Sequence, residues 1–347
     1  MGFDPNAAAA PGSGAFGLPN TESDAAVVLL PVPFDATTSY GKGAAKGPAA
    51  ILEASKQVDL FDLETGRPYE AGIVMLEESD EVRRWNEEAN ALSAKILEVA
   101  GVIEGDQELE GALAKVNELS ARLNEFVERE TARLLSAGKI VGLVGGDHAV
   151  PFGCIRAHAA EFPGLSVLHF DAHADLRPAY EGFAWSHASI MDNVVRHAGI
   201  ARLVQVGIRD LSEEEFQRIE RSNGKIVAFY DADLKRAQRH GETFGEIAER
   251  IASELGELVY VSFDVDGLDP ALCPHTGTPV PGGLQFHEAT AILEAVVRSG
   301  RRIVGFDLNE VAPGPDGDEW DANVGARLLY KLIGWTLVSR GLSRPPR

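Results

Sequence analysis

Eight short runs of β-branched and apolar residues, most of them separated by stretches with helical patterning, constrain this chain more than anything else in it. They fall at 26–30, 72–76, 139–144, 165–170, 203–206, 225–229, 258–263 and 302–306. Most are continuously apolar rather than alternating, which is how strands read when helices cover both faces of a parallel sheet. The expected fold is α/β: a three-layer αβα domain around a mainly parallel, eight-stranded sheet. Residues 82–136 carry no strand signal and read as an added helical hairpin, broken near residues 101–105. Its second helix shows one apolar face through Leu109, Leu113, Val116, Leu119, Leu123 and Phe126. Residues 1–24, rich in Ala, Gly, Pro and Ser, read as a flexible or loosely docked arm, and 25–340 as one catalytic domain that includes the hairpin.

Charge narrows the partners. Among 347 residues, 53 Asp and Glu face 32 Lys and Arg, a net charge of −21. That sign repels phosphate backbones and anionic lipid, so neither nucleic acid nor membrane is an expected partner. No apolar run approaches the ~18 residues that a membrane-spanning helix needs. With no basic region leading into an apolar one near residue 1, and only Cys154 and Cys273 for thiols, the expected location is cytoplasmic.

The chemistry sits at strand ends. Asp147 and His148 follow the run at 139–144, Asp171, His173 and Asp175 the run at 165–170, and Asp264 and Asp266 the run at 258–263. Ligands of open parallel sheets bind beyond the carboxyl ends of the strands, so all three clusters address one region. Within the second and third clusters the ligand types recur at every second residue, which an extended segment projects to one side. Five carboxylates and two imidazoles cannot share a pocket uncompensated, because like charges a few ångström apart and burial both penalise ionised carboxylates. Two divalent cations remove the conflict. Mixed carboxylate and imidazole donors suit Mn²⁺ and similar ions, and the absence of Cys argues against a thiolate zinc site. His169, within a run, reads as a satisfied core histidine, and Asp147 as a residue that orients ligands rather than binding metal.

These residues resemble the ureohydrolases, the arginase and agmatinase superfamily, and come closest in pattern to agmatinase-like guanidino-compound hydrolases. GGDHAV, DAHADLR and SFDVDGLDP match the family's three signature motifs, and residues 31–55, 276–284 and 305–316 match further conserved stretches. The resemblance implies one ion on His148, Asp171, Asp175 and Asp264, and a second on His173, Asp171, Asp264 and Asp266, with Asp171 and Asp264 bridging. It implies Mn²⁺, with Ni²⁺ as the alternative, and a homo-oligomer, either trimer or hexamer. It also implies that Glu310 grips the guanidinium group and that His187 transfers protons.

The mechanism expected from this resemblance is attack of a metal-bridging hydroxide on a small cationic guanidino substrate, giving urea and an amine. A pair of cations lowers the pKa of a shared water towards 7. Asp175 aims that hydroxide, Glu310 orients the planar cation by paired hydrogen bonds, and His187 protonates the departing amine. Leu176 and Arg177 stand where arginases carry an Asn that reads the amino-acid end of the substrate, which disfavours free arginine. Arg177 would instead meet an anionic substrate tail, as in formimidoylglutamases, or a loop carboxylate. Phe183 and Trp185 are expected to narrow the pocket, and His275 to line it. The alternatives are a guanidine or guanidino-acid hydrolase, an arginase, a formimidoylglutamase yielding formamide, and a single-zinc deacetylase-like enzyme.

Overall fold

The computed structural model describes residues 3–10 and 12–346. All eight expected strands are present: β1 (Val27–Val32), β2 (Ile73–Met75), β3 (Ile140–Gly145), β4 (Ser166–Phe170), β5 (Arg202–Ile208), β6 (Ile226–Tyr230), β7 (Leu258–Asp264) and β8 (Arg302–Asn309). They form a single sheet in the order β2-β1-β3-β8-β7-β4-β5-β6, and every neighbouring pair is parallel. The helices are α1 (Gly47–Ser55), α2 (Asp80–Leu97), α3 (Gln107–Ser136), α4 (Phe152–Glu161), α5 (Ile190–His197), α6 (Glu213–Glu220), α7 (Asp231–Arg239), α8 (Phe244–Ser253), α9 (Phe286–Arg298) and α10 (Trp320–Ser339). None of these is long and apolar enough to cross a membrane.

Both sheet faces are covered, which explains the uninterrupted apolar strands. On β4, Leu168 and Phe170 join the core made with α8, α9 and α10. Leu165, just before that strand, and Val167 within it join the core with α4 and α5. The order places β3, β8, β7 and β4 side by side at the centre of the sheet. Their carboxyl ends therefore meet at one place.

One feature of the chain differs from the reading of its sequence. Residues 15–18 of the supposedly loose arm are anchored: Ala15, Phe16 and Leu18 are buried, Phe16 packs 4.9 Å from the Tyr330 ring, and its backbone N–H donates to Ser55 Oγ at 2.9 Å. Composition hid two strong apolar anchors among small residues. The hairpin, in turn, is a layer of the domain, since Leu119, Leu123 and Val127 of α3 pack with Phe152 and Ile155 of α4.

Candidate metal centre

The three ligand clusters converge, and they do so around two imidazole nitrogens. His148 Nδ1 lies 3.1 Å from Asp171 Oδ2, 3.4 Å from Asp175 Oδ2 and 3.4 Å from Asp264 Oδ2. His173 Nδ1 lies 3.3 Å from Asp171 Oδ1 and 3.0 Å from Asp266 Oδ2. Asp171 thus presents one oxygen to each focus. Asp264 gives its second oxygen to the Asp266 backbone N–H at 2.8 Å. The loops meet closely: a Cβ at Gly267 would come within 2.7 Å of the Asp171 nitrogen, so no side chain fits there. Asp175 and Glu310 both hold positive φ, 53° and 65°, strain of the kind that clusters at functional sites.

Beneath the ligands, register aligns three polar residues across the apolar sheet, His169 opposite Ser262 and Ser262 opposite Asp307. His148 Nε2 sits 3.0 Å from Ser262 Oγ, which donates to Asp307 Oδ1 at 2.9 Å. This chain fixes the proton on Nε2 and leaves the Nδ1 lone pair for a cation. His169 is a satisfied core histidine, as its sequence context suggested. Its Nδ1 accepts from the Gln205 amide at 3.0 Å, so its Nε2–H donates to Asp171 Oδ2 at 2.9 Å. The ring therefore orients a ligand, a role that its position two residues before Asp171 on the same strand could have signalled. Asp147 stands apart from both foci and accepts from the Thr37 and Thr38 hydroxyls at 3.1 and 3.4 Å.

The electrostatics show the conflict foreseen from composition. Burial and the neighbouring Asp171 push Asp175 well above the carboxylate range, while burial and Asp266 do the same to Asp264. Asp171 is held well below that range despite its burial, by His169, His148 and His173. Burial opposes charge on His173, yet Asp266 and Asp171 raise it to about 12. Without cations, protons must glue the cluster together. A donor set of four buried carboxylates and two imidazoles, split into two foci that share Asp171, fits a pair of divalent cations.

A pH dependence follows. Burial and Asp35 raise Asp147 to about 7, and His148 is raised well above its usual value although burial opposes this. A group with a raised folded pKa contributes stability that is complete below its unfolded pKa and is lost as pH climbs through the folded one. The metal-free protein is therefore expected to lose thermal stability as pH rises from about 4 through about 7 by way of Asp147, and further above about 6.5 by way of the two imidazoles, the loss through His173 extending towards about 12. Added Mn²⁺ should raise the melting midpoint most at the upper end, where its ligands no longer hold protons. Thermal unfolding with and without chelator across that range checks this, and a metal effect that does not vary with pH contradicts it.

Above the foci lies a cavity of about 180 Å³, whose wall includes Ser39, His173, Asp175, Arg177, Tyr180, His187, Asp210 and Thr278. His187 is half-buried with Nε2 3.5 Å from Ser39 Oγ, and its Nδ1 has no partner among the described residues. Burial, then His173, push it down to about 4. Glu310 follows β8, is buried, and accepts the His148 backbone N–H through Oε1 at 2.8 Å, whereas Oε2 has no partner among the described residues. Arg177 lines the cavity with its guanidinium 5.2 Å over the Tyr180 ring and 3.5 Å from Glu215.

Other sequence expectations require correction. Trp185 packs against Phe152 at 4.9 Å and is not among the residues lining the cavity. Phe183 is buried among hairpin residues. His275 is tied to Asp321, 2.9 Å from Nδ1, and is likewise absent from the wall. Chain proximity to His187 or to the third ligand cluster did not translate into proximity to the cavity, because Trp185 found its partner in Phe152 and His275 in Asp321. Tyr180, Asp210 and Thr278, which the sequence did not single out, take those places. Thr278 Oγ1 donates to Asp266 Oδ2 at 3.2 Å.

Comparison with known proteins agrees with this geometry. The chain is 37% identical over 323 residues to N(1)-aminopropylagmatine ureohydrolase of Thermus thermophilus, spanning 92% of this chain and 94% of that one. It is 30% identical over 310 residues to the agmatinase of Bacillus anthracis, spanning 89% and 91%. Among solved structures, the agmatine ureohydrolase of Thermoplasma volcanium superposes with a TM-score of 0.70 at 25% identity, covering 93% of each chain. The model of the arginase family matches residues 25–334, and with the fold and the shared-carboxylate cluster this places the chain in that family, the ureohydrolases that hydrolyse C–N bonds of guanidino compounds.

Proposed function

We propose that this protein is a dinuclear metal-dependent amidinohydrolase that cleaves agmatine, or a polyamine-extended guanidino compound of the same charge type, to urea and an amine. The observation that carries this reading is the pair of imidazole-centred foci sharing Asp171 beneath a cavity with a carboxylate, Asp210, on its wall that has no ion-pair partner among the described residues. The ions would be two per chain, Mn²⁺ with Ni²⁺ as the alternative, held by His148, Asp171, Asp175 and Asp264 and by His173, Asp171, Asp264 and Asp266. The family resemblance supports a single catalytic domain over 25–340, a trimeric or hexameric assembly and a cytoplasmic location.

When bound, the ions supply an activated water nucleophile near neutral pH. The protein does the rest. Glu310 Oε2, buried and without a partner, offers the planar cation a charge-assisted hydrogen bond and holds its carbon towards the attacking water. Asp175, which would be a carboxylate when it holds an ion, takes a proton from that water as the new C–O bond forms. The tetrahedral carbon then expels the amine, which departs only after receiving a proton at nitrogen. His187 is neutral at pH 7 and relays a proton at Nδ1 rather than storing one.

At the outer end, Arg177 is offset by Glu215 and stacked on Tyr180. That leaves Asp210, exposed and without an ion-pair partner among the described residues, to meet a substrate ammonium. Replacing Asp210 with Asn is expected to raise KM for agmatine about 2–5-fold and leave kcat nearly unchanged, the range of a solvent-screened ion pair. Steady-state urea assays check this, and an unchanged KM contradicts the assignment. The parent reading is tested by urea release from agmatine, aminopropylagmatine, arginine, guanidinobutyrate, guanidinopropionate and guanidine after separate Mn²⁺ and Ni²⁺ reconstitution. Formamide release from formimidoylglutamate would instead favour an anionic substrate on Arg177.

A further inference from the structure

The α2–α3 hairpin supplies none of the groups used above, yet it holds both loops that roof the cavity. One is the loop after β1, residues 33–45, which carries Ser39. Asn86 Oδ1 accepts from the Asp35 N–H at 2.9 Å, Asn90 Nδ2 donates to Asp35 Oδ1 at 2.9 Å, and Lys42 Nζ donates to Asn90 Oδ1 at 2.5 Å. Asp35 Oδ2 accepts in turn from the Gly43 and Ala45 N–H groups, closing the loop on itself.

The other is the 178–187 loop, which carries Tyr180 and His187. Its Phe183 is fully buried in a small apolar cluster whose other buried members, Ile96, Ala112 and Val116, all belong to the hairpin. Asn117 of α3 donates to Gly182 O at 3.3 Å and accepts from the Ala184 N–H at 2.9 Å. At the hairpin turn Gly101, with φ +74°, lies so close that a Cβ there would sit 2.8 Å from Glu181 Cα.

Packing of α3 on α4 needs only the apolar face of the helix. Directional bonds from Asn86 and Asn117 to loop backbone, and from Asn90 to the Asp35 and Lys42 side chains, are not needed for that packing, but they are what fixes a segment with little regular structure of its own.

We propose that the α2–α3 hairpin is a catalytic positioning element that clamps the two roof loops against each other, with Asn117 as the principal positioning residue for His187 and Tyr180. This rests on reading the cavity as the substrate site. The reacting groups themselves are untouched by the hairpin, so loosening it should misplace the proton relay without emptying the metal centre. Misplacement of about 1 Å at a distance from the chemistry is enough to lower a rate substantially.

The test uses the full-length, Mn²⁺-reconstituted protein and the variants Asn117→Ala, Asn117→Asp and Asn90→Ala. It reads hydrogen exchange of the roof-loop amides, metal content, melting midpoint, and kcat and KM for urea release. Asn117→Ala should speed exchange at residues 180–187 and lower kcat about 10-fold, with metal content unchanged. Asn117→Asp, which keeps the acceptor for the Ala184 N–H, should recover part of both losses. Asn90→Ala should loosen residues 35–45 instead. Faster exchange without a kinetic effect, or neither change in a folded variant, overturns the proposal. If the parent protein released no urea from any substrate above, the substrate reading would fall, while the exchange data would still decide whether the clamp exists.

Discussion

Replacing Asp171 with Asn is expected to remove bound metal and to lower urea release at least about 10³-fold, the scale seen when an electrostatic element that the rest of a site depends on is removed. Among the described residues, no other side chain gives one oxygen to each imidazole focus. The substitution preserves volume but deletes the charge and turns one oxygen into an amide donor, which cannot ligate a cation. It also turns the His169 Nε2–H, 2.9 Å from Asp171 Oδ2, towards an amide in place of a carboxylate. Elemental analysis and a urea assay on one preparation check this. Activity within tenfold of the parent, with metal retained, contradicts the shared-carboxylate assignment.

Glu310→Gln should act differently. Burial and the nearby Asp147 push this carboxyl well above its usual range, so its charge is costly until a cation is paired with it. Gln keeps the shape and the bond from the His148 N–H but offers no negative charge. Loss of a buried, hydrogen-bonded charge partner weakens binding by ~2–5 kcal/mol, so kcat/KM is expected to fall about 10²–10³-fold while metal content stays unchanged. The melting midpoint should hold or rise, because a buried carboxylate oxygen without a partner, as Oε2 is among the described residues, is no asset to the fold. Parallel kinetic and thermal-unfolding measurements separate these effects. A variant that loses stability and retains its kcat/KM would assign Glu310 a purely structural task.

What the sequence revealed and what it concealed divide along physical lines. The strands were legible because a sheet covered on both faces demands unbroken apolar runs. The ligands were legible because His148, Asp171, His173, Asp175, Asp264 and Asp266 directly follow such runs, where strand direction alone fixes their position. The cavity wall was not. Tyr180 and Asp210 reach it through loops whose course is set by distant contacts, such as the Asn117 bonds to Gly182 and Ala184. Trp185 and His275 were misplaced for the same reason, since each found a better partner in Phe152 and Asp321. The docked segment around Phe16 was hidden by the small residues on either side of it. The relay from His148 through Ser262 to Asp307 depends on register between β7 and β8, which no single strand displays.

The account depends most on the cluster being a site for two ions rather than one or none. Chelated protein titrated with Mn²⁺, with bound metal and urea release from agmatine followed together, tests this directly. Activity absent in the metal-free protein and reaching its plateau only at two ions per chain is the predicted result. Full activity at one ion per chain, or urea release with none bound, would contradict it.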